Sequence, residues 1–295
     1  MKALGRTTSR PVFAMADLAE LVKARLSFLT LATAMAGFAL GVKAEWNYLL
    51  LSATLVGTAL SAAGAAALNQ WWERDHDAKM KRTRSRPLPT ARVLPTDALL
   101  TGVVFSVSGV VCLALFANIL SASLAAATIV FYLFIYTPLK RVTTLNTIIG
   151  AVPGALPPLI GWTAARGSIN AEGLTLFAIL FLWQMPHFLA IAWLYREDYA
   201  QAGFKMLSEG DEDGFITGRQ AVLYALALLA VSLLPSVFFA YSVIYFYGAL
   251  LLGGAFVALA GNFAVSGGSV PAARMLFLGS IAYLPLLLGL MVLAR

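Results

Sequence analysis

Long runs without charge constrain this chain more than any motif in it. A helix needs about 20 consecutive apolar residues to cross the hydrocarbon core of a bilayer. Nine stretches reach that scale: roughly 22–42, 48–70, 97–117, 120–138, 143–163, 172–194, 219–240, 243–262 and 273–294. They far exceed the roughly 9–11 residues of a barrel strand, so the expected class is an all-α membrane protein with nine transmembrane helices. Composition agrees, with 60% hydrophobic and 12% charged residues against about 25% charged in soluble domains. Several connections are very short, so sequential helices should pack as antiparallel neighbours. No clear internal repeat interrupts the pattern, and a single domain over 1–295 is the simplest organisation, with a basic leader over about 1–21. That leader and the first apolar run imitate a secretory signal, but the many later spans make the run a start-anchor helix. The single cysteine, Cys112, lies in an apolar run and cannot form an internal disulfide.

The formal charge of +7 does not point to nucleic acid. In a polytopic membrane protein it reflects Lys and Arg in cytoplasmic loops. With the N-terminus in the cytoplasm, 18 of the 21 basic residues fall inside, leaving Lys43, Arg166 and Arg295 outside. The C-terminus is then outside. The loops at about 71–96 and 195–218 both follow even-numbered helices and share the cytoplasmic face. They hold 10 of the 14 acidic residues, Asp97 at the edge included. Acid clusters from distant segments, meeting at one mouth, point to a site.

The first of these loops opens with "LNQWWERDHDAKMKRTRSRPLP", residues 68–89. Asn69, Glu73 and Asp77 recur at i, i+4 and i+8, so on a helix they share one face, while Asp75 points nearly opposite. Three oxygen-bearing side chains in line suit Mg²⁺, which takes one or two carboxylates and completes its shell with water and substrate phosphate. The basic residues that follow (Lys79, Lys81, Arg82, Arg84 and Arg86) can hold phosphate oxygens directly. Acid, metal and base together describe a diphosphate site. The competing reading is a solvated loop whose charges set topology, but it leaves unexplained why Asn69 and Glu73 sit where a polar group is costly.

The stretch "NQWWERDHDAKMKRTRSRPLP" closely resembles the first signature of the haem-farnesylating branch of the UbiA superfamily of membrane prenyltransferases. The resemblance continues in "YTPLKRVTTLNTIIGAVPGALPPLIGW" (136–162) and "FLWQMPHFLAIAWLYREDYAQAGFKML" (181–207), in the family's order and over nearly the whole chain. It implies a UbiA-like helical bundle whose central cavity opens to the cytoplasmic side. Asn69, Glu73 and Asp77 fall on the motif that binds Mg²⁺ and the prenyl diphosphate, with Glu73 in place of the usual middle Asp. Lys81, Arg82 and Arg86 would lie near the diphosphate. The superfamily's second, Asp-rich motif is altered here. Tyr195, Tyr199 and Ala200 are kept, but Arg196, Gly203 and Lys205 occupy the usual Asp positions, and Glu197 and Asp198 are out of register. Arg196, Lys205 and Tyr199 would bind diphosphate, Asp198 joins the catalytic set, and Asp211 and Asp213 are late candidate ligands. Loop charges with no ligand role are the alternative.

The resemblance places His187, in "QMPHF", near the substrate pocket as a haem contact, axial ligation of iron included. The other reading is a hydrogen-bonded structural histidine. Asn146, Lys140 and Arg141 are assigned to the same pocket, and His76 is not diagnostic. Gly150, Gly154, Pro157 and Pro158 suit either a cavity wall or close helix packing. Trp46, Trp71, Trp72, Tyr136 and Trp162 read mostly as interface anchors, the other reading being that some of them flank an allylic cation through their π faces. The implied reaction transfers a farnesyl group from farnesyl diphosphate to the 2-vinyl group of haem b with addition of water, giving haem O and diphosphate in the bacterial inner membrane. Membrane lipid, and haem A synthase or other cytochrome oxidase assembly factors, are the partners it implies. Three other readings stand beside it. A sister prenyltransferase would use a quinone or chlorophyll precursor, a transporter would need an internal repeat, and a non-catalytic haem carrier would need the histidines but not the acid motif.

Overall fold

The computed structural model describes residues 14–43, 45–239 and 241–294. The leader residues Lys2, Arg6 and Arg10, and Arg295, lie outside these described residues. Among them nine helices are long and apolar enough to span a bilayer, and no strand occurs. The chain is an integral membrane protein. The spans are α2 (Ala24–Gly41), α3 (Tyr48–Asp77), α4 (Pro95–Phe116), α5 through α6 (Ile119–Leu139), α7 (Asn146–Arg166), α8 (Ala171–Leu194), α10 (Phe215–Phe238), α11 (Val243–Val265) and α12 (Val270–Leu293). Two short helices lie outside them, α1 (Met15–Leu21) and α9 (Arg196–Gln201).

Local chemistry sets the ends. Asn47, Asn118 and Asn170 cap α3, α5 and α8 by accepting from the amides of Leu50, Ser121 and Gly173 at 2.9, 2.9 and 3.0 Å. Pro95 opens α4 with Asp97 in its first turn. Gly167 ends α7 at φ 70°, a left-handed conformation that costs glycine nothing.

Helices α7 and α8 form the centre. α7 is the most enclosed of the spans, and it packs on α2, α5 and α8, while α8 also meets α10 and α12. Close approach needs glycine at two places. A Cβ on Gly37 of α2 would fall 1.9 Å from the Pro158 carbonyl oxygen, and one on Gly161 of α7 would fall 1.9 Å from that of Ala34. The "GALPPLIGW" stretch therefore packs against α2, and small residues let the two backbones touch. Trp162 is 1% exposed and belongs to this core, which corrects its reading as an interface anchor. It sits near a span end, but on the helix that the others surround.

The largest departure from the sequence-based boundaries is α3. It runs to Asp77, seven residues beyond the expected end at 70, so the segment 71–77 is helix and not loop. Nothing in "WWERDHD" breaks a helix, and the first proline after it is Pro87. Thirty residues extend about 45 Å, more than the about 30 Å hydrocarbon core. The last turns of α3 thus stand at one mouth of the bundle as a rigid platform.

The fourth span changes pitch. Between α5 (Ile119–Val130) and α6 (Thr137–Leu139) lies a π-helical turn, Phe131–Tyr136. Such turns fit one extra residue into a helix and recur at functional sites. This one faces the end of α3.

Candidate active site

Asn69, Glu73 and Asp77 are 1%, 7% and 1% exposed, whereas Asp75 on the opposite face is exposed. The i, i+4, i+8 spacing therefore does what it predicts. Asn69 Nδ2 donates to Glu73 Oε2 at 2.9 Å and to Thr137 Oγ1 at 3.1 Å. Its Oδ1 accepts from Tyr132 OH and Lys23 Nζ, both at 3.2 Å. Tyr132 comes from the π-helical turn and Thr137 from the residue that follows it, so the change of pitch presents both to Asn69.

Each carboxylate on this face meets a cation. Lys140 Nζ lies 2.9 Å from both oxygens of Glu73, and Arg86 Nη1 lies 2.7 Å from Asp77 Oδ2. Thr83 Oγ1 donates to the Asp77 carbonyl at 2.8 Å, which folds the 78–94 loop back onto α3. Lys140 also sits 4.6 Å from the centre of the Tyr136 ring. Burial opposes its charge, but Glu73 and the two tyrosines hold the ammonium well above the ordinary lysine range. Lys23 differs. Burial, helped by Arg86 and Lys140, pushes it down to about 7, against the pull of Glu73 and Asp77.

Lys23 reaches the site through an unusual local structure. It joins α1 to α2 at φ 50°, a left-handed conformation that is strained for a lysine. Gln70 Nε2 donates to the carbonyls of Glu20 and Leu21 at 3.0 and 2.7 Å, satisfying the end of α1. Arg92 bridges Asp17 and Glu20 on the same helix. Helix α1 is thereby clamped beside Asn69, and the turn after it aims Lys23 inward.

The two loops expected to share a mouth do meet. Met80 packs with Ala202, Phe204 and Met206, His76 stacks on Phe204, and Lys205 N donates to the Lys140 carbonyl at 2.7 Å. Asn146, 1% exposed, donates from Nδ2 to the carbonyls of Thr143 and Lys205 at 2.6 and 2.5 Å. It ties the segments around 143 and 205 together. Lys140 pairs with Glu73. Arg141 is exposed, 3.4 Å from His76 Nε2.

Other expected residues fall elsewhere. Lys81, Arg82, Arg196 and Asp198 line a cleft of about 540 Å³ at the end of α8, and none of them bonds to the Asn69 face. Tyr199 accepts from Arg82 Nη2 at 3.2 Å. Lys205 is exposed and lies 3.6 Å from Glu209. Asp211 serves a helix end. Its carboxylate accepts from the amides of Ile216 and Thr217 at 3.1 and 2.7 Å and caps α10. Asp213 accepts from Phe215 N beside it at 3.2 Å. His187 lies on the seam of α8 and α12. Its Nδ1 shares a 2.7 Å hydrogen bond with Ser280 Oγ, and its ring packs 5.1 Å from those of Trp183 and Phe277.

An amide oxygen and two carboxylates on one buried face are hard donors that fit a divalent cation such as Mg²⁺. Among the described residues no group of three or more His, Cys, Asp or Glu is placed to hold a metal, so water and substrate would have to complete its shell. Lys140 and Arg86 already mark the carboxylate oxygens as positions that attract positive charge.

The fold and this face together define an enzyme built inside the membrane. The profile of the UbiA prenyltransferase family matches residues 30–289, and the chain belongs to that family. Within it, the chain is 50% identical over 236 residues to the protoheme IX farnesyltransferase of Solibacter usitatus, covering 80% of each chain. It is 42% identical over 294 residues to that of Myxococcus xanthus, covering 98% of each. Solved structures share the fold. One, of digeranylgeranylglyceryl phosphate synthase, has a TM-score of 0.80 at 15% identity, covering 95% of this chain and 98% of that one. Another, a UbiA homolog from Archaeoglobus fulgidus bound to GPP and Mg²⁺, has a TM-score of 0.69 at 14% identity, covering 95% and 100%.

Proposed function

We propose that the protein transfers a farnesyl group from farnesyl diphosphate to the 2-vinyl group of haem b, with addition of water, to give haem O and diphosphate. The observation that carries this reading is the buried Asn69–Glu73–Asp77 face ringed by Lys23, Arg86 and Lys140, in a chain half identical to a protoheme IX farnesyltransferase over most of its length. Asn69, Glu73 and Asp77 would hold Mg²⁺. When bound, that ion supplies Lewis-acid neutralisation of diphosphate charge, as fits the relative whose structure contains Mg²⁺ and a prenyl diphosphate.

The chain's own side chains do the rest. Lys23, Lys140 and Arg86 take up charge on the diphosphate as the allylic C–O bond breaks and its electron pair leaves with oxygen. The vinyl carbon then bonds to the allylic carbon, and water captures the cation left on the porphyrin side chain, releasing a proton. Packing of the 78–94 and 195–214 loops over the end of α3 limits bulk water at the allylic cation. Tyr132 and Tyr136 line the Lys140 side. The mouth faces the cytoplasm of a bacterial inner membrane, as the distribution of basic residues favours.

The test is incubation of the purified protein with haem b, farnesyl diphosphate and Mg²⁺, with and without EDTA, followed by mass analysis of the haem. A Mg²⁺-dependent product heavier by one farnesyl and one hydroxyl group is expected. Unchanged haem from protein that binds both ligands would overturn the reading.

A further inference from the structure

The structure separates the basic residues into two groups with different partners. Lys140 and Arg86 sit on the carboxylates of Glu73 and Asp77, and Lys23 sits on Asn69. Lys81, Arg82 and Arg196 converge instead on the 540 Å³ cleft at the end of α8. Among the described residues none of these three is ion-paired, although Glu197 and Asp198 line the same cleft.

Two of the three cations are fixed by aromatic rings. The Arg82 guanidinium lies 5.3 and 5.5 Å from the ring centres of Tyr195 and Tyr199 and donates to Tyr199 OH. That of Arg196 lies 4.6 Å from the Trp193 ring. A guanidinium stacked on a ring keeps its forked donors in plane and ready for a carboxylate. The remaining wall includes Leu194 and Val270. Lys81, Arg82, Tyr195, Arg196 and Glu197 are exposed, so the cleft is open, with ring-braced cations beside a wall of Trp193, Leu194 and Val270. That arrangement suits the edge of a flat apolar ligand that carries carboxylates. The cleft also adjoins the reacting face. The Tyr199 ring lies 6.2 Å from that of Phe204, whose centre is 5.7 Å from Lys140 Nζ.

We infer that this cleft is the acceptor subsite, in which Arg82, Arg196 and Lys81 hold the two propionates of a haem. The inference rests on the proposed haem chemistry. Diphosphate is the poorer occupant. It carries more charge, and here it would face Glu197 and Asp198 without the oxygen-donor face that Asn69, Glu73 and Asp77 provide. The cations that share that face with them are others.

The experiment compares haem b with its dimethyl ester, whose propionates are neutral, by Soret titration of the full chain in detergent. Farnesyl diphosphate binding is measured in parallel by calorimetry with Mg²⁺. The ester should bind the unmodified protein about tenfold more weakly than haem b. Arg82→Gln and Arg196→Gln should each weaken haem b about tenfold while moving the ester and farnesyl diphosphate less than twofold. Arg196→Lys should recover part of the loss. Equal affinity of acid and ester for the unmodified protein would overturn the inference without requiring any variant to fold. So would a loss confined to farnesyl diphosphate. Turnover of haem b with no dependence on propionate charge would leave the chemistry standing and remove the subsite. Propionate-dependent binding without farnesyl transfer would do the reverse.

Discussion

The Glu73–Lys140 pair offers the sharpest test of the site's geometry. Glu73 is 7% exposed and meets Lys140 Nζ at 2.9 Å on both oxygens, with one further bond from Asn69. Lys140→Met keeps most of the side-chain volume and removes the charge. Removing one member of a buried pair typically costs 3–5 kcal/mol, because the other is left uncompensated. Asn69 still serves one oxygen, so the lower end, about 3 kcal/mol, is expected. Glu73→Gln keeps a bond to Asn69 but strands the ammonium over Tyr136 and Phe204, whose faces retain part of its stabilisation. About 2 kcal/mol is expected. The double variant buries neither charge and should be no less stable than Glu73→Gln, which gives a coupling of about 3 kcal/mol. The measurement is reversible unfolding in mixed micelles, without divalent cations, for the four proteins of the cycle. Additivity within about 0.5 kcal/mol would show that the two groups do not meet, and the description of the site would fail with it.

Three further outcomes follow from the same structure. Gln70→Leu, which removes two bonds at the end of α1, should cost about 1–3 kcal/mol and expose the segment around residue 20 to limited proteolysis; unchanged cleavage would show that Gln70 does not hold α1. For Asp211, burial raises the pKa, but the donors on Thr217 and Ile216 outweigh it and hold the carboxyl below its ordinary value. Its share of stability is therefore present above the unfolded-state pKa and lost as pH falls through the folded one. Asp211→Ala should cost about 1 kcal/mol at neutral pH, and thermal melts of variant and parent should converge in acid. Mg²⁺ should raise the Tm of the parent protein, and EDTA should reverse it, while Asp77→Asn should respond less; equal shifts in both would remove Asp77 from the metal face.

What the sequence disclosed and what it hid divide along physical lines. The spans were legible because charge-free length is a one-dimensional property, and the Asn69–Glu73–Asp77 face because helical spacing is fixed. Periodicity does not say that this face is buried, and the helix that carries it runs seven residues beyond the apolar stretch. Lys23 was hidden. It reaches Asn69 only because Gln70 and Arg92 clamp a short helix that no apolar run announces. Tyr132 and Thr137 were hidden as well, since a π-helical turn offsets them from α-helical spacing. Tyr136 looked like an interface anchor, and its place beside Lys140 depends on tertiary structure. Asp211 shows a role that acid spacing does not announce. Among other acids it resembled a ligand, and only the following helix reveals it as a cap.

The π-helical turn also sets which mutations the site tolerates. Substitutions within Phe131–Tyr136 alter side chains one at a time. Deleting one residue there would take out the extra residue that the wide turn holds, return the segment to α pitch and leave Thr137 and Lys140 on nearly their present face. The same deletion in α5 (Ile119–Val130) has no extra residue to give up and would turn everything after it by about 100°, swinging Thr137 and Lys140 away from Asn69 and Glu73. A chain altered in that second way would still insert and still read as nine spans, yet its reactive face would be dismantled. For this fourth span, the place of a one-residue gap therefore matters more than its presence when related chains are compared.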